Sequence, residues 1–280
     1  MTEQKKLIPR KIWLLWYQGI ENAPYLVKKC IKSWIEKNPT WEVIVLDKHN
    51  QHDYVTLETP EKVLSKLSPA HRSDLLRLKL LHEYGGVWAD STTFCNKPLD
   101  QWIDKYSQSG FFAFERPGKD RLIASWFFAS QVGNPITIKL YELMEQYWIK
   151  NDFDKPTELQ IKMTTLFSRL FNNNIKNTRH WFNPLVRKGL GITPYFIFHY
   201  QFQRLISVDK ASTEIWDNTL KVSADGPHLV QRAGLFSLPT TPIKQKLKQA
   251  DAPLYKLTWK YDHDNYAPHT LLYHILEECE

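Results

Sequence analysis

The stretch KIWLLWY, residues 11–17, is an apolar run that ends in a Gln-Gly pair. A short apolar run stopped by turn residues predicts a buried β-strand. Apolar residues then recur at helical spacing over residues 26–35, and WEVIVL at residues 41–46 predicts a second strand. Strand, helix and strand in this order build a parallel sheet. We therefore expect an α/β fold with a mostly parallel central sheet flanked by helices.

A second helix and strand are predicted further along the chain, and they lead to Asp90. Ser68 and Pro69 are typical of a helix start, because serine caps free backbone N–H groups and proline suits the first turn. The helical pattern of leucines continues to a Gly-Gly pair, and residues 87–89 then predict a short strand. Ligand sites in open α/β sheets lie beyond the carboxyl ends of strands, so Asp90 is placed for chemistry.

The remainder of the chain has weaker patterns. Residues 111–114 predict a strand, and Asn134 with Pro135 predicts the start of another helix. Residues 151–195 predict partial helix with a loop around residues 172–174. The length of 280 residues and the hydrophobic content of 42% suit one domain with a sizeable core.

Composition restricts the environment and the partners. Lys and Arg number 37 against 30 acidic residues, and this net charge of +7 favours phosphates, an anionic membrane or nucleic acid without choosing among them. Three cysteines without metal-site spacing indicate a reducing compartment and no zinc site. No apolar run approaches the roughly 18 residues of a membrane span, and the N-terminus does not resemble a secretory signal. We expect a cytoplasmic protein.

Two short clusters of polar residues carry the candidate chemistry. Asp74 and Arg77 lie three apart on the predicted helix, where they can pair with each other or face a ligand together. Asp90, followed by Ser91 and Thr92, offers oxygen atoms of the kind that Mg²⁺ and Mn²⁺ prefer. Taken alone, Asp90 is equally compatible with a turn-forming residue.

These clusters belong to a longer resemblance. The chain resembles glycosyltransferase family 32, and within it the bacterial capsular polysaccharide synthesis proteins. The matching segments follow the family order. They are IPRKIWLLWYQG at residues 8–19, NAPYLVKKCIKSW at 22–34, NPTWEVIVLD at 38–47, SDLLR at 73–77, YGGVWADST at 84–92, SWFFA at 125–129 and DGPH at 225–228. The resemblance implies one GT-A domain over residues 1–280, with a nucleotide-sugar-binding half at about 1–110 and an acceptor half with a C-terminal tail at about 111–280.

The family pattern also implies roles for individual residues. Trp16 and Gln18 are expected to line the nucleotide pocket, and Asp74 is expected to bind the base or ribose. Arg77 is expected to brace Asp74 and Asp90. Asp90 corresponds to the first acid of the Asp-x-Asp motif of the family, which lies beside the ribose, the diphosphate and the metal.

The metal and the diphosphate are expected to have further ligands. Thr92 stands where the family has its second acid, so the Mn²⁺ or Mg²⁺ expected from the resemblance would have a weaker ligand here. His228 matches a position that supplies a metal or diphosphate ligand. Lys256 or Lys260 is expected to reach the diphosphate, and the alternative for either lysine is a solvated surface charge.

The resemblance implies an activity and a pathway. It predicts a retaining glycosyltransferase that transfers a hexose to a glycan acceptor in capsular or surface polysaccharide synthesis. UDP-linked hexoses are the commonest donors in such families, and GDP-mannose is the alternative. Ser125 and Trp126 are expected in the acceptor or sugar pocket. The alternatives are a sugar-nucleotide hydrolase, in which Asp90 would activate water, and a basic nucleic-acid-binding module. No nucleic-acid-binding motif is present, so nucleic acid is not an expected partner.

Such an enzyme is expected to extend a lipid-linked acceptor at the inner face of the cell membrane. Residues 243–260 mix cations, aliphatic side chains and aromatic rings, a composition suited to peripheral contact with an anionic lipid surface. The alternative for this stretch is an ordinary basic surface with a few core residues.

Overall fold

Seven strands form two sheets in the protein, whose computed structural model describes residues 8–151, 153–249, 251–261 and 266–278. The central sheet has the order β2-β1-β3-β6-β5, and β4 pairs with β7 in a separate two-stranded sheet. The strands are β1 (Lys11–Leu15), β2 (Glu42–Leu46), β3 (Gly86–Ala89), β4 (Thr93–Cys95), β5 (Phe111–Gly118), β6 (Arg121–Ser130) and β7 (Leu254–Lys256).

The central sheet is mixed. β1 pairs in parallel with β2 and β3, whereas β6 pairs antiparallel with both β3 and β5. The predicted α/β class is confirmed, but the sheet is less parallel than the sequence suggested. The reason is the two-residue connection between β5 and β6, because so short a link permits only an antiparallel hairpin.

Helices surround the central sheet. The α-helices are α1 (Tyr25–Lys37), α2 (Glu61–Leu64), α3 (Pro69–Glu83), α4 (Ile103–Tyr106), α5 (Pro135–Asn151), α6 (Glu158–Phe171), α7 (Ile197–Val208), α8 (Lys210–Asn218), α9 (Leu229–Ala233), α10 (Thr241–Lys248) and α11 (Leu271–Tyr273). Segments of 3₁₀-helix are Ile20–Asn22, Asn50–Asp53, Leu99–Gln101 and Lys176–Phe182, and segments of π-helix are Leu185–Gly189 and His274–Glu278. Across the described residues, no helix has both the length and the hydropathy that a bilayer-spanning segment needs.

The predicted helix starts are confirmed in their capping geometry. The Ser68 hydroxyl accepts a hydrogen bond from the backbone N–H of His71 at 3.2 Å. The Asn134 side-chain oxygen accepts one from the N–H of Ile136 at 2.9 Å. Each bond satisfies a backbone donor that the first helical turn leaves free, so the local sequence sets where α3 and α5 begin.

The strand that opens the chain is shorter than predicted. β1 ends at Leu15, because the carbonyl of Trp16 accepts a hydrogen bond from Gly19 at 2.9 Å and turns the chain. Gly86 sets the approach of β3 to β1: it has φ of 94°, and a Cβ there would lie 2.6 Å from the Lys11 carbonyl oxygen. The Gly85-Gly86 pair, whose second residue begins β3, therefore permits the close contact that directs Asp90 toward the end of β1.

Side chains from the two faces of the sheet form separate apolar layers. Alternate residues of β1 contribute to each layer, because successive side chains of a strand point to opposite faces. One layer packs against α1 and the chain's last helices, and the other packs against α3, α5 and α7. The sheet is thus covered on both faces, and its strand ends remain available for a site.

Candidate active site

A cavity of about 740 Å³ opens beyond the carboxyl ends of β1 and β3. Every residue that the sequence analysis assigned to a site lines this cavity. They are Trp16, Gln18, Asp74, Arg77, Asp90, Thr92, Ser125, Trp126, His228, Lys256 and Lys260. Residues separated by more than 240 positions in the sequence therefore meet in one place.

Asp90 is fixed by its backbone at the end of β3. Its N–H donates to the Trp126 carbonyl at 2.9 Å, and its carbonyl accepts from the Thr93 N–H at 2.8 Å. The Trp88 indole N–H donates to the Asp90 carboxylate at 3.1 Å. The carboxylate is 29% exposed, so it is held in place but can still contact a ligand in the cavity.

Arg77 is buried and links several parts of the site. It donates to the Ser73 hydroxyl at 2.8 Å and to the Ser125 carbonyl. It also pairs with the carboxylates of Asp74, at 3.3 Å, and Asp90, at 3.7 Å. Arg77 thus contacts both Asp74 and Asp90, and its role in bracing them for a ligand stays a prediction.

Asp74 is the more deeply buried of the two carboxylates, with 7% of its surface exposed. Burial raises its pKa to about 7, although the Arg77 guanidinium lowers the pKa and the Asp90 charge raises it further. The carboxyl holds its proton in the folded protein to a higher pH than in an unfolded chain. Its contribution to stability is therefore present at low pH and is lost as the pH rises toward and through about 7.

Lys256 reaches the site from the C-terminal part of the chain. β7 pairs antiparallel with β4, which places Lys256 opposite Thr93, and the Lys256 N–H donates to the Pro227 carbonyl at 2.8 Å. The Lys256 Nζ lies 3.6 Å from a carboxylate oxygen of Asp90 and donates to the Thr92 hydroxyl. The predicted alternative of a solvated surface charge is wrong for Lys256, whose side chain is 18% exposed.

Among the ring nitrogens of cavity-lining residues that are buried without a hydrogen-bond partner within the described residues, two belong to rings that contact each other. They are Trp126 Nε1 and His228 Nε2, and the two rings meet edge to face with centroids 5.5 Å apart. The other ring nitrogen of His228 lies 3.0 Å from the Gln231 amide oxygen, and burial lowers the pKa of His228. Because an unsatisfied buried polar group is costly, these atoms are suited to contact ligand oxygens.

Aromatic rings stand at another part of the cavity wall. Trp16 and Trp259 meet edge to face with ring centroids 5.7 Å apart, and Trp259 is 40% exposed. The Lys260 Nζ lies 5.6 Å from the Trp259 ring. Exposed indole faces of this kind can stack against a nucleobase or a sugar ring.

Several cavity residues were missed by the sequence analysis. Arg121 lines the cavity, lies 3.9 Å over the Phe196 ring and pairs with Asp120 at 3.3 Å. His199 also lines it, and burial together with the charges of Arg121 and Arg77 lowers its pKa. Neither residue belongs to a motif, so only the three-dimensional fold identifies them.

The residues present do not fit the expected divalent cation. Within the described ranges, no group of three His, Cys, Asp or Glu side chains lies close enough to hold a metal ion. Asp74 is engaged with Arg77, and the Lys256 ammonium contacts both Asp90 and Thr92. Mg²⁺ and Mn²⁺ prefer sites rich in oxygen ligands, and the side chains around Asp90 present cations instead.

A comparison with protein-family models agrees with the resemblance seen in the sequence. The family model described as capsular polysaccharide synthesis protein matches the chain over residues 1–181 and 165–275. The chain belongs to this family. The family assignment made from the sequence motifs is therefore confirmed at this level.

This member of the capsular polysaccharide synthesis family is similar to several curated proteins. O-glycosyltransferase braB of Annulohypoxylon truncatum is 28% identical over 159 residues, which cover 50% of this chain and 38% of that protein. Glycosyltransferase afumC of Aspergillus fumigatus is 33% identical over 103 residues, 32% of this chain and 26% of that protein. Subversion of eukaryotic traffic protein A of Legionella pneumophila is 26% identical over 239 residues, 75% of this chain and 34% of that protein. The chain spans less than two fifths of each relative. Two of the three are fungal, and bacterial origin stays a prediction.

Solved structures of glycosyltransferase domains are more distant. The UDP-bound glycosyltransferase domain from the YGT toxin has a TM-score of 0.43 and 11% identity, covering 88% of this chain and 90% of that one. The PaToxG glycosyltransferase has a TM-score of 0.39 and 16% identity, covering 74% and 86%. The GT-A fold predicted from the sequence stays a prediction.

Proposed function

We propose that this protein is a glycosyltransferase that transfers a hexose from a nucleoside diphosphate sugar to a glycan acceptor. The first donor to test is a UDP-linked hexose. One observation carries the proposal: all eleven residues expected from the family pattern line the same cavity around Asp90. The names of the curated relatives braB and afumC, both glycosyltransferases, support the same activity. The family description supports the further proposal of a role in capsular or surface polysaccharide synthesis.

The chemistry of the cavity wall is suited to the donor. Lys256, Lys260 and Arg121 supply cations for the diphosphate, and hydrogen bonds from cations to phosphate oxygens are among the strong ones in proteins. Trp16 and Trp259 supply indole rings for the base. Ser125, Trp126 and His228 also line the cavity and are suited to the hydroxyl groups of the sugar or acceptor and to a diphosphate oxygen.

The proposed reaction breaks the bond between the anomeric carbon and a phosphate oxygen, and the electron pair leaves with the nucleoside diphosphate. Lys256 and Lys260 stabilise the charge that develops on the phosphate. The Asp90 carboxylate stabilises the positive charge that develops on the sugar. The acceptor hydroxyl forms the new bond and releases its proton to the departing phosphate oxygen.

We propose that the anomeric configuration is retained by substitution on the front face. A double displacement needs a nucleophile on the opposite side of the sugar from the leaving group. Among the described residues that line the cavity, the carboxylates are Asp74 and Asp90, and Asp74 is buried against Arg77. A second exposed carboxylate is not present in this set, so front-face substitution is the simpler mechanism.

A donor panel tests the proposed function. Thermal denaturation with UDP-linked and GDP-linked sugars should show a raised midpoint for at least one donor, because a ligand that binds only the folded state stabilises it. Chromatography of the products then separates transfer to an added glycan from simple hydrolysis. A protein stabilised by none of these donors would contradict the proposal, and release of free sugar alone would favour the hydrolase.

Replacing Asp74 by alanine is expected to raise the donor KM by about tenfold to a hundredfold with a smaller change in kcat. A hydrogen bond to a charged group contributes about 1.5–3 kcal/mol, and a base or ribose contact acts equally in the ground and transition states. In the wild type the donor KM should also rise as the pH falls through about 7, where Asp74 becomes protonated.

Steady-state kinetics from pH 5.5 to about 8.5 measure both effects. Exposed Asp104, changed to alanine, is a matched control that should leave the donor KM and its pH dependence unaltered. A donor KM that is the same in Asp74→Ala and the wild type would rule out the binding role of Asp74.

A further inference from the structure

The Lys256 ammonium lies where the family pattern places a divalent cation. It is 3.6 Å from an Asp90 carboxylate oxygen and donates a hydrogen bond to the Thr92 hydroxyl. These two residues are the ones that correspond to the two acids of an Asp-x-Asp motif. A neutral hydroxyl is a poor ligand for a hard dication but a good acceptor for an ammonium group.

Backbone hydrogen bonds fix the main chain at Lys256 and at the residue that follows it. The Leu257 N–H donates to the Thr92 carbonyl at 2.8 Å, and the Lys256 N–H donates to the Pro227 carbonyl at the same distance. β7 is therefore joined both to the loop after Asp90 and to the loop before His228. Backbone pairing sets the position of Lys256. Its side chain therefore starts from a fixed point close to Asp90.

The charges at the centre of the cavity are balanced without a metal ion. The carboxylates of Asp74 and Asp90 are matched by Arg77 and Lys256. An incoming diphosphate would bring additional negative charge, which Lys260 and Arg121 can meet from the same cavity wall.

We propose that Lys256 takes the place of a divalent metal ion at the donor diphosphate in this protein, so that donor binding needs no metal. The inference rests on the proposed function. As the bond between the anomeric carbon and oxygen breaks, the electron pair passes to the phosphate oxygen, and the Lys256 N–H group donates a hydrogen bond to it. Lys256 keeps its own protons, and the acceptor hydroxyl supplies the proton that leaves.

Calorimetric titration with UDP and with GDP, in EDTA and in Mn²⁺, tests the inference. We expect one nucleotide to bind in EDTA with an affinity within about threefold of that in Mn²⁺, a difference below 1 kcal/mol. Binding that requires Mn²⁺ would overturn the inference and leave the proposed function standing. Absence of binding under both conditions would contradict the proposed function as well.

Two lysine variants distinguish a specific contribution of Lys256 to nucleotide affinity from a general effect of the protein's positive charge. In EDTA, Lys256→Ala should weaken nucleotide binding by about tenfold to a hundredfold, as expected for loss of a charged hydrogen bond. Lys210→Ala, whose side chain is 92% exposed on α8, should have no effect. Unchanged affinity in folded Lys256→Ala, with circular dichroism and melting like the wild type, would overturn the inference.

A double variant offers a second test. Thr92→Asp combined with Lys256→Ala restores the two acids and removes the ammonium, so Mn²⁺ should bind and nucleotide affinity should become dependent on Mn²⁺. Electron paramagnetic resonance measures Mn²⁺ binding without any enzyme assay. Equal Mn²⁺ binding by the wild type and the double variant would show that Lys256 does not exclude the metal.

A separate surface, formed by the outward face of α6, carries a second inference. Leu159, Leu166 and Leu170 are 66%, 55% and 53% exposed, and at 3.6 residues per turn they fall within a stripe about 40° wide. Exposed Lys162 and Arg169 flank this stripe. Leucines beside cations on one exposed helix face are typical of a helix that lies at a membrane interface.

The positive charge of the segment that contains α6 favours an anionic partner. Residues 153–190 contain seven Lys and Arg residues and two acidic residues, a net charge of +5 out of +7 for the whole chain. The inner face of α6 packs through Met163, Phe167 and Phe171 against a small apolar cluster around Trp181. The inner face of α6 is thus held by packing against the protein, and its leucine stripe and its cations face outward.

The stretch that the sequence suggested for lipid contact, residues 243–260, is placed differently. Leu254, Tyr255 and Leu257 are buried in the core, and Lys256 contacts Asp90. These side chains cannot reach a lipid surface in this structure. The alternative of core residues within a basic surface is the better description of that stretch.

We infer that the α6 surface, made of the leucine stripe with Lys162 and Arg169, docks on an anionic lipid bilayer. Opposite charge selects the bilayer as the partner, since each lysine or arginine near such a surface adds to the attraction. The segment that contains α6 continues to Tyr195 and Phe196, which line the cavity. Docking through α6 would therefore suit an acceptor that is itself held in the membrane.

Sedimentation with liposomes tests the surface. The protein should pellet with vesicles of 30% phosphatidylglycerol at low salt, remain in solution with phosphatidylcholine alone, and be released as salt screens the cations. Combined Leu166→Ser and Leu170→Ser should lower the partition coefficient at least tenfold. Val208→Ser, which changes an apolar residue 75% exposed on α7, is the matched control.

Equal recovery in the supernatant with anionic and neutral vesicles would overturn the inference. It would also be overturned if light scattering showed a dimer that the Leu166 and Leu170 substitutions dissociate, because a second copy would then cover the stripe. Both results are independent of the proposed transfer reaction.

Discussion

Asp90→Asn should lower kcat/KM for sugar transfer by about a thousandfold while the protein stays folded. The Asp90 carboxylate contacts the Lys256 ammonium and lies 3.7 Å from Arg77, so its charge orients the cation that meets the diphosphate. It is also the exposed carboxylate beside the proposed reaction centre. Loss of one preorganised electrostatic contact commonly lowers the rate by about 10²- to 10³-fold, and Asp90 serves two such contacts.

The fold should tolerate this substitution because an asparagine oxygen can still accept the Trp88 indole hydrogen bond. Initial rates of nucleotide release and thermal melting, measured side by side, separate catalysis from stability. Asp104→Asn, on an exposed site of α4, should behave like the wild type in both assays. Turnover by Asp90→Asn close to that of the wild type would remove Asp90 from the reaction.

Arg77→Met should have the largest effect on stability among single changes in the cavity. The guanidinium is buried, donates to Ser73 and Ser125, and pairs with Asp74. Methionine replaces the aliphatic part of the side chain but leaves Asp74 buried without its cation. Removing one partner of a buried ion pair costs about 3–5 kcal/mol of unfolding free energy.

Urea unfolding measures the loss of stability. The deficit should be larger at pH 8 than at pH 5, because below the pKa of about 7 Asp74 is protonated and no longer needs the cation. Adding Asp74→Asn to Arg77→Met should recover part of the loss at pH 8. Arg204→Met, at an exposed position of α7, is the control, with an expected change below about 1 kcal/mol. A similarly small change for Arg77→Met would contradict the bracing role.

The elements around β1 could be predicted from the sequence because their signals are local. Ser68 and Asn134 cap the helices that follow them, and the glycine pair at the start of β3 marks the turn. β6 was not predicted. Most of its residues are buried, including five in succession at its end, so the alternation of apolar and polar residues that reveals a strand is absent.

The same distinction applies to the site. Asp74, Arg77 and Asp90 occur within 17 residues of sequence, so a family pattern could identify them together. The contact between Lys256 and Thr92 spans 164 positions and depends on the pairing of β4 with β7. For this reason the sequence suggested a metal ligand set, whereas the folded chain brings an ammonium group to the same oxygens.

Arg121 and His199 mark the limit of sequence reasoning for this cavity. Arg121 begins β6, the strand that the sequence did not predict, and His199 lies in α7 among buried aromatic residues. Neither has a neighbour in sequence that points to ligand binding. Their presence in the cavity follows only from the way β6 and α7 pack together.

A crystal structure of the protein with the nucleotide that binds it tests the proposed donor site most directly. We expect the diphosphate in the cavity beyond β1 and β3, hydrogen-bonded to Lys256 Nζ, with the base against Trp16 or Trp259 and Asp90 beside the sugar position. A nucleotide bound elsewhere, or bound in this cavity with its diphosphate away from Asp90 and Lys256, would contradict it.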